Sequence, residues 1–145
     1  MLGEKQKQWL QALRSGQYSQ CKKFLCTPYP LGYCCLGVGC EIFGIPKLQS
    51  GSVVTFDGEN STSPKLRDIL KLYNRNGAIR GYKNINIEDF MKSIDVRNLQ
   101  RYIETTYGLY NVSPALTAMN DCGLTFKQIA DIIEKFPTLF FSEPV

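Results

Sequence analysis

Five cysteines lie within residues 21–40 of this 145-residue chain, which contains six cysteines and no histidine. A segment so rich in cysteine can fold in only a few ways: as a disulfide framework, as a thiolate metal site, or as part of the core, where free thiols act as small apolar side chains. The absence of histidine also excludes an imidazole metal ligand and a Cys-His or Ser-His catalytic pair.

The spacing of the cysteines leaves these alternatives open but favours free thiols. Cys21-x4-Cys26 and Cys35-x4-Cys40 are matched pairs, which would permit a four-thiolate zinc site. Zinc knuckles usually have the shorter C-x2-C spacing, however, and the second pair lies in a strongly apolar segment. We therefore expect no bound metal and no cofactor.

The expected compartment argues against disulfides. The N-terminal sequence has no apolar core of the signal-peptide type, and the longest apolar-rich stretch, Leu31 to Ile45, is too short to span a bilayer. We therefore expect no membrane association and a cytosolic chain with reduced thiols. A nucleophilic Cys34 or Cys35 remains an alternative. Its thiolate would need a stabilising cation, and Lys22 and Lys23 are the local candidates.

The N-terminal part of the chain predicts two helices joined by a β-hairpin. Residues 3–15 have the pattern of an amphipathic helix that ends at Gly16. The prolines within residues 27–30 predict the turn of a short hairpin. Residues 34–43 are apolar on every side except at Glu41, which is typical of a helix inside the core.

The middle of the chain predicts a strand and a helix. Gly37 and Gly39 lie inside the core helix predicted over residues 34–43, and each weakens it by about 1 kcal/mol relative to alanine. We therefore expect another element to pack against their bare backbone. Val53–Phe56 predicts a strand. Ser63-Pro64 then predicts an N-cap and first turn, followed by an apolar stripe that reaches Tyr73.

Four further helical segments follow. An apolar stripe over 87–94 predicts one helix, and Asp95 is the expected N-cap of another that ends at Gly108. Ser113-Pro114 predicts the start of a short helix, and Thr125 is expected to cap a final helix that Pro137 ends. Together these elements predict a single compact domain over residues 1–145, of the α+β class but mainly α, with one or two short β-hairpins.

All of the net positive charge lies in the N-terminal third. Residues 1–40 contain five bases and one acid, and the remaining residues contain twelve of each, so this third carries the whole net charge of +4. Such a charge favours an anionic partner, for example a nucleic acid. Four aromatic rings in the same third would offer stacking faces to bases, those of Tyr18, Phe24, Tyr29 and Tyr33. A solvated surface is the simpler interpretation.

Glu41 is the most unusual acid because it interrupts an apolar helix. A buried carboxyl has a raised pKa, as general acid-base catalysts often do, so a small enzyme that uses Glu41 or a cysteine is one alternative. Pairing with a base such as Arg14 is the other. The sequence contains no Gly-rich phosphate loop after a strand, no Walker pattern and no paired-carboxylate motif.

Several short motifs resemble a family of small phage- and prophage-encoded proteins. They are W-x2-ALRSG-x-Y-x-Q (Trp9 to Gln20), YCCLGV (Tyr33 to Val38), YGL (Tyr107 to Leu109) and ND-x-G-x-TF-x2-IAD-x-I (Asn120 to Ile133). The resemblance covers both ends of the chain, and residues 47–95 look like an insertion relative to that family. Cys21 and Cys26 depart from the family pattern, which argues further against a zinc site.

The resemblance implies an accessory viral protein in the cytoplasm of a bacterial host, and it implies no catalytic activity. A shared function would lie at the polar and aromatic residues of the motifs: Arg14, Tyr18, Gln20, Tyr33, Asn120 and Asp121. The alternative is that these residues are caps and turn-formers that hold the two chain ends together. With Lys22 and Lys23 from the basic third, they are the candidate partner- or ligand-binding residues.

The function that we expect is therefore non-enzymatic. The chain would bind a host protein or a small anionic ligand, as proteins of host takeover or counter-defence do. Nucleic-acid binding through the basic N-terminal third is the first alternative, and a small enzyme that uses Glu41 or a cysteine is the second.

Overall fold

The structure is a computed structural model that describes residues 1–80, 115–121 and 123–145. These residues form six helices and two two-stranded antiparallel sheets, so the predicted α+β, mainly α class is confirmed. The elements in chain order are α1 (Glu4–Arg14), β1 (Cys26–Pro28), β2 (Leu31–Tyr33), α2 (Cys35–Ile42), β3 (Lys47–Ser50), β4 (Val53–Phe56), α3 (Pro64–Leu70), α4 (Leu116–Asp121), α5 (Phe126–Lys135) and α6 (Pro137–Phe140).

Helix α1 packs against α2, α3 and α5, and the apolar side that its sequence predicts faces them. Trp9 is fully buried on that side. Its indole N–H donates to the carbonyl oxygen of Cys35 at 2.9 Å. Its ring meets the edge of Phe141, with ring centroids 6.4 Å apart. Because the single polar atom of the indole is satisfied, Trp9 fixes α1 against the start of α2 without a desolvation penalty.

Helix α2 lies inside the core, as predicted, and its two glycines explain how. A Cβ at Gly37 would overlap the backbone carbonyl of Leu25, and a Cβ at Gly39 would lie 2.8 Å from Cδ1 of Leu66. The expectation that other elements pack against their bare backbone is therefore confirmed.

Two hairpins flank this helical core. In the first, Cys26 pairs with Tyr33 and Pro28 with Leu31, so the hairpin predicted from the prolines is confirmed. The second contains the predicted strand β4, which pairs with β3. Strand β3 was not predicted, because all four of its residues are exposed and it lacks the alternation of apolar and polar residues that marks a half-buried strand.

The predicted caps at Ser63 and Thr125 are confirmed, the cap predicted at Asp95 lies outside the described residues, and some helix bounds differ. The Leu66 N–H donates to the Ser63 hydroxyl at 3.1 Å, which caps α3. This helix ends at Leu70 because Lys71 has a φ of 59°, so Tyr73 lies beyond it. Thr125 caps α5 as expected. Pro137 then starts the short helix α6, which the sequence analysis did not predict.

Some predictions fall on parts of the chain that the structure does not describe. The helices predicted over 87–94 and up to Gly108, and the helix start at Ser113-Pro114, lie outside the described residues. Among the helices that are described, none has the length and apolar character needed to cross a membrane.

Candidate ligand-binding cleft

Asn120 in α4 is fully buried and joins segments from both ends of the chain. Its Oδ1 accepts from Gln20 Nε2 at 2.9 Å and from the Cys35 backbone N–H at 3.1 Å. Its Nδ2 donates to the carbonyl oxygen of Cys21 at 2.8 Å. Gln20 also donates to the carbonyl oxygen of Leu124 at 2.8 Å. Gln20 and Asn120, two of the predicted site residues, thus hold these backbone segments together through side-chain hydrogen bonds.

Asp121 holds the neighbouring turn in an unusual conformation. Its Oδ1 accepts from the Lys23 backbone N–H at 2.8 Å and from Asn120 Nδ2 at 3.3 Å. Lys23 has a φ of 71°, in the left-handed region that residues with a side chain seldom adopt. Its exposed side chain forms no ion pair with any residue in the described part of the chain.

A polar cleft of about 190 Å³ lies beside Lys23 and Asp121. Of the seven described residues that line it, four carry uncharged hydrogen-bonding side chains. The lining residues are Lys23, Cys34, Ser61, Thr62, Asn76, Thr117 and Asp121. Asn76, Ser61 and Lys23 are exposed, whereas Thr62, Thr117 and Asp121 are half-buried. The described part of the lining therefore offers one cation, one carboxylate and several neutral donors and acceptors within a small volume.

Backbone hydrogen bonds bring the walls of the cleft together. The Leu25 N–H donates to the carbonyl oxygen of Asn60 at 2.8 Å, which places residues 61 and 62 beside the Lys23 turn. The Thr117 N–H donates to the carbonyl oxygen of Asn76 at 3.3 Å. The cleft thus forms where separate loops meet the start of α2 and the helix α4.

Sequence reasoning missed four of the lining residues, Ser61, Thr62, Asn76 and Thr117. Ser61, Thr62 and Asn76 lie in short polar runs that look like ordinary surface loops, and Thr117 is a single polar residue between apolar residues of α4. The one local signal was the N-cap at Ser63, which fixes where the chain enters α3 but does not show what residues 61 and 62 face.

Arg14 is not among the residues that line the cleft. Its guanidinium donates to Asp131 Oδ1 and to Glu134 Oε2, both at 2.7 Å, and so ties α1 to α5. The hydrogen bond from Arg14 lowers the pKa of the Asp131 carboxyl. The predicted pairing of Arg14 with Glu41 is therefore wrong.

Glu41 pairs instead with Lys47, whose Nζ lies 2.9 Å from its Oε2. About a third of the Glu41 side chain is exposed, so it is not the buried acid that the catalytic alternative required. Lys47 also lies over the rings of Tyr33 and Phe56, at 5.7 and 5.9 Å from their centroids. Glu41 is thus part of a surface cluster that packs the second hairpin onto the core.

Tyr33 is not available to stack on a base. It is buried, and the half-buried Tyr18 meets it edge to face with ring centroids 5.5 Å apart. The stacking role predicted for Tyr33 is therefore wrong. Phe24 and Tyr29 are exposed.

The described cysteines are free thiols, and four of the five are buried. Cys35 and Cys40 are fully buried, and this burial raises the pKa of each thiol to about 12. Burial also raises the pKa of Cys34 well above its ordinary value. Cys34 and Cys35 therefore stay protonated at neutral pH, which removes the nucleophile alternative.

The four cysteines of the zinc alternative do not form a metal site. Within residues 1–80, 115–121 and 123–145, no group of three or more Cys, Asp or Glu side chains is arranged to hold a metal ion. Cys21, Cys26, Cys35 and Cys40 are therefore not brought together in the arrangement that the zinc alternative required.

The predicted site residues fall into separate groups. Lys23 and Asp121 line the cleft, and Gln20 and Asn120 are hydrogen-bonded into the backbone beside it. Lys22 is exposed next to Lys23 and does not line the cleft. Tyr18 and Tyr33 pair with each other, and Arg14 joins the helices α1 and α5.

One family model matches the chain, over residues 1–137, and its description is a domain of unknown function, DUF8296. Comparison with curated proteins and with solved structures finds no match. The matched range covers all the described elements up to the end of α5 and every residue of the cleft. Because it spans far more than half of the sequence, the chain belongs to the DUF8296 family.

Proposed function

We propose that this protein is a non-enzymatic accessory protein that binds a small anionic ligand in the cleft at Lys23. The cleft is the observation that carries the proposal. The resemblance of the chain's sequence motifs to those of small phage and prophage proteins supports a role in host takeover or counter-defence, in the cytoplasm of a bacterial host.

The ammonium group of Lys23 favours an anion in the cleft, although the carboxylate of Asp121 lies in the same lining. Lys23 presents an ammonium group that has no ion-pair partner among the described residues, and hydroxyl and amide groups that can donate hydrogen bonds surround it. A concave site with a few convergent polar groups is the usual form of a small-molecule site. The groups that catalysis would need are engaged elsewhere: Glu41 pairs with Lys47, and the thiols of Cys34 and Cys35 are buried.

The test compares two adjacent lysines. Lys22→Gln and Lys23→Gln change the net charge equally, and both side chains are exposed, but only Lys23 lines the cleft. Inorganic phosphate is titrated into the wild-type protein and both variants at low salt, by calorimetry and by thermal melting. A ligand at 100 times its Kd stabilises a protein by about 2.7 kcal/mol, which at this size raises Tm by about 5–10 °C.

We expect the wild-type protein and Lys22→Gln to bind phosphate and Lys23→Gln to lose most of the binding. Equal loss in both lysine variants would indicate only a general attraction between the basic surface and anions. No heat and no shift in Tm for the wild-type protein would contradict the proposal.

A host protein is the second partner that we propose, and the exposed apolar side chains of the hairpins favour it. Tyr29 and Leu31 in the first hairpin and Leu48 in the second are more than half exposed. Immobilised wild-type protein is compared with a Tyr29→Ser, Leu48→Ser variant in host lysate. A partner that the wild-type protein retains and the variant loses would support this second proposal, and identical retention would contradict it.

Nucleic-acid binding has less support. Arg14 and Lys7 of the basic third are engaged in ion pairs, and Tyr33 has no free face. Gel-shift titration with single- and double-stranded oligonucleotides at low salt is expected to show no binding. A gel shift that weakens strongly with increasing salt would support nucleic-acid binding instead.

A further inference from the structure

We propose that this protein forms a weak dimer in which strand β3 pairs antiparallel with β3 of a second copy, so that the two second hairpins make one four-stranded sheet. The inference goes beyond the proposed function, because it concerns a surface away from the cleft and a second copy of the chain. Three observations carry it: a free strand edge, a backbone register that complements itself, and an exposed leucine at the centre of that register.

The hydrogen bonds of β4 show which backbone groups of β3 point outward. In an antiparallel pair, residues that bond to the opposite strand alternate with residues whose N–H and C=O point away from it. Phe56 lies opposite Lys47, yet its N–H donates to the Glu59 carbonyl at 2.7 Å and its carbonyl accepts from the Glu59 N–H at 3.0 Å. The backbone groups of Lys47, and of Gln49 two residues further on, therefore point to the outer edge of β3.

This outer edge is free to accept another strand. In the described part of the chain, no other hydrogen bond uses the outward N–H and C=O groups of Lys47 and Gln49. All four residues of β3 are exposed. An unpaired strand edge of this kind is a template for pairing with another chain.

Two copies of β3 complement each other about a two-fold axis at Leu48. In this register Lys47 of each copy lies opposite Gln49 of the other, and the two pairs exchange four backbone hydrogen bonds. All the outward groups of both copies are then used. A shift of the axis to Lys47 or to Gln49 would leave half of them unpaired. The same patch thus meets itself, as in the two-fold dimers that are the commonest oligomers.

The axis also places an exposed apolar side chain against its own copy. Phe56, opposite Lys47, is buried, so the alternate residue Leu48 points to the outer face of the hairpin, where it is 70% exposed. On the axis, Leu48 meets Leu48 of the other copy in a pair without backbone hydrogen bonds. In such pairs the Cα atoms are only about 4.5 Å apart and the side chains come closest.

The charges permit this pairing, and the size of the interface limits its strength. Lys47 is held by Glu41 at 2.9 Å and would lie opposite the uncharged Gln49, so no like charges meet across the two strands. Four residues from each copy bury less than the roughly 1,200 Å² of a stable complex. We therefore expect dimers only at high protein concentration.

The test is sedimentation velocity of the full chain with reductant present, from about 1 µM to about 1 mM, the range of weak complexes. Gln49→Pro removes an outward N–H that β4 does not use, and proline is tolerated at such edge positions. Leu48→Lys places two like charges opposite each other on the axis. Val53→Lys is the matched control, because Val53 is also exposed but lies on β4, away from the axis. Melting curves check that each variant folds.

We expect the wild-type protein and Val53→Lys to dimerise with Kd values within about threefold of each other. Gln49→Pro removes two of the four intermolecular hydrogen bonds, and it should raise Kd at least tenfold. Leu48→Lys should weaken the dimer at least as much.

A cross-linking experiment tests the register itself. Leu48→Cys brings two thiols together on the axis, within the reach of a disulfide. Ser50→Cys lies on the same face, but its two copies are about 14 Å apart in this register. With oxidised glutathione, Leu48→Cys should give a covalent dimer on non-reducing gels, and the wild-type protein and Ser50→Cys should not.

Each contrary outcome overturns the inference. A monomer at every concentration excludes the dimer, and a dimer that Gln49→Pro and Leu48→Lys leave unchanged uses another surface. Equal cross-linking of Leu48→Cys and Ser50→Cys excludes this register. If the wild-type protein stays monomeric but retains a lysate protein that Gln49→Pro loses, the edge belongs to a host strand instead. The phosphate titrations of the cleft are independent of all these outcomes.

Discussion

Gln6 and Asn120 are fully buried polar residues, and each uses its side-chain amide to tie distant parts of the backbone together. Gln6 Nε2 donates to the carbonyl oxygens of Leu70 and Glu143, at 2.9 and 2.8 Å, and its Oε1 caps α1 through the Gly3 N–H. No buried side-chain nitrogen or oxygen in the described residues lacks a partner. Removing either amide would therefore leave buried backbone groups unpaired, which destabilises more than the lost bonds themselves.

Asn120→Ala is expected to lower the free energy of unfolding by about 3 kcal/mol, since each unsatisfied buried group costs about 1–3 kcal/mol. Asn60→Ala is the matched control because Asn60 is exposed and contributes only its backbone carbonyl. Its expected effect is within about 0.5 kcal/mol. Urea unfolding measures both, and equal effects would show that the Asn120 amide is not structural.

Because burial raises the pKa of its thiols, the free energy of unfolding of the protein should depend on pH. The pKa values of Cys35 and Cys40 are raised from 9.0 to about 12 by burial, so above pH 9 the unfolded chain loses protons that the folded chain keeps. Stability should then fall as pH rises, by about 1.4 kcal/mol per pH unit for each thiol.

This dependence is measured by urea unfolding at pH 8, 9 and 10 with reductant present. Cys40→Ala removes one of the buried thiols, so its stability should fall less steeply over the same range. Parallel pH profiles for the wild-type protein and Cys40→Ala would contradict the assignment to buried thiols.

At the level of elements, α2 is positioned by the absence of side chains on one side. Its backbone approaches the carbonyl of Leu25, the residue before β1, at Gly37 and the α3 side chain Leu66 at Gly39. The two contacts differ in kind, since the Leu25 carbonyl belongs to the backbone and accepts from the Cys34 N–H at 3.1 Å, whereas the tip of a leucine side chain can rotate. The helix also carries no base, and its one acid is at the surface.

This difference predicts unequal effects of the same substitution. Gly37→Ala should destabilise by about 3 kcal/mol or more, the upper range for overpacking. Gly39→Ala should destabilise by about 1 kcal/mol or less, because the leucine yields and alanine gains about 1 kcal/mol of helix propensity. Thermal melting compares the two, and Gly39 serves as the control for a change of propensity in the same helix. An equal effect at both positions would contradict this ranking.

At the scale of the whole molecule, the C-terminal segment closes the core. Phe140 is fully buried and Phe141 nearly so, and the carbonyl oxygen of Phe140 accepts from the Tyr73 N–H at 3.1 Å. The Glu143 carbonyl accepts from Gln6, and the Val145 carbonyl accepts from the Lys5 N–H at 2.8 Å. The two ends of the chain thus stabilise each other.

Truncation after Pro137 is therefore expected to abolish cooperative unfolding, although the family match also ends at residue 137. Loss of a buried phenylalanine costs about 3–5 kcal/mol, and two such losses are comparable to the total stability of about 5–15 kcal/mol. Removal of Pro144 and Val145 alone should leave a sharp thermal transition. Circular dichroism melts compare the two truncations. A cooperative melt for the chain that ends at Pro137 would contradict this role of the phenylalanines.

Much of the fold was determined by the sequence itself, because the signals concerned are local. Ser63 and Thr125 fix the starts of α3 and α5 through hydrogen bonds to residues three positions ahead. Continuous apolar character placed α2 inside the core, and proline located the first turn. Each of these features depends on neighbours within a turn or two of chain, so the sequence suffices to predict it.

The tertiary structure alone decided strand β3, the partner of Glu41, and the cleft. The exposed strand β3 exists only because β4 lies beside it. Glu41 pairs with Lys47 rather than with Arg14, because the Arg14 guanidinium forms its ion pairs with α5. The cleft joins Lys23 and Asp121 to loop residues that carry no distinguishing pattern. Such sites depend on which distant segments pack together, and packing is a property of the assembled core rather than of any one stretch of residues.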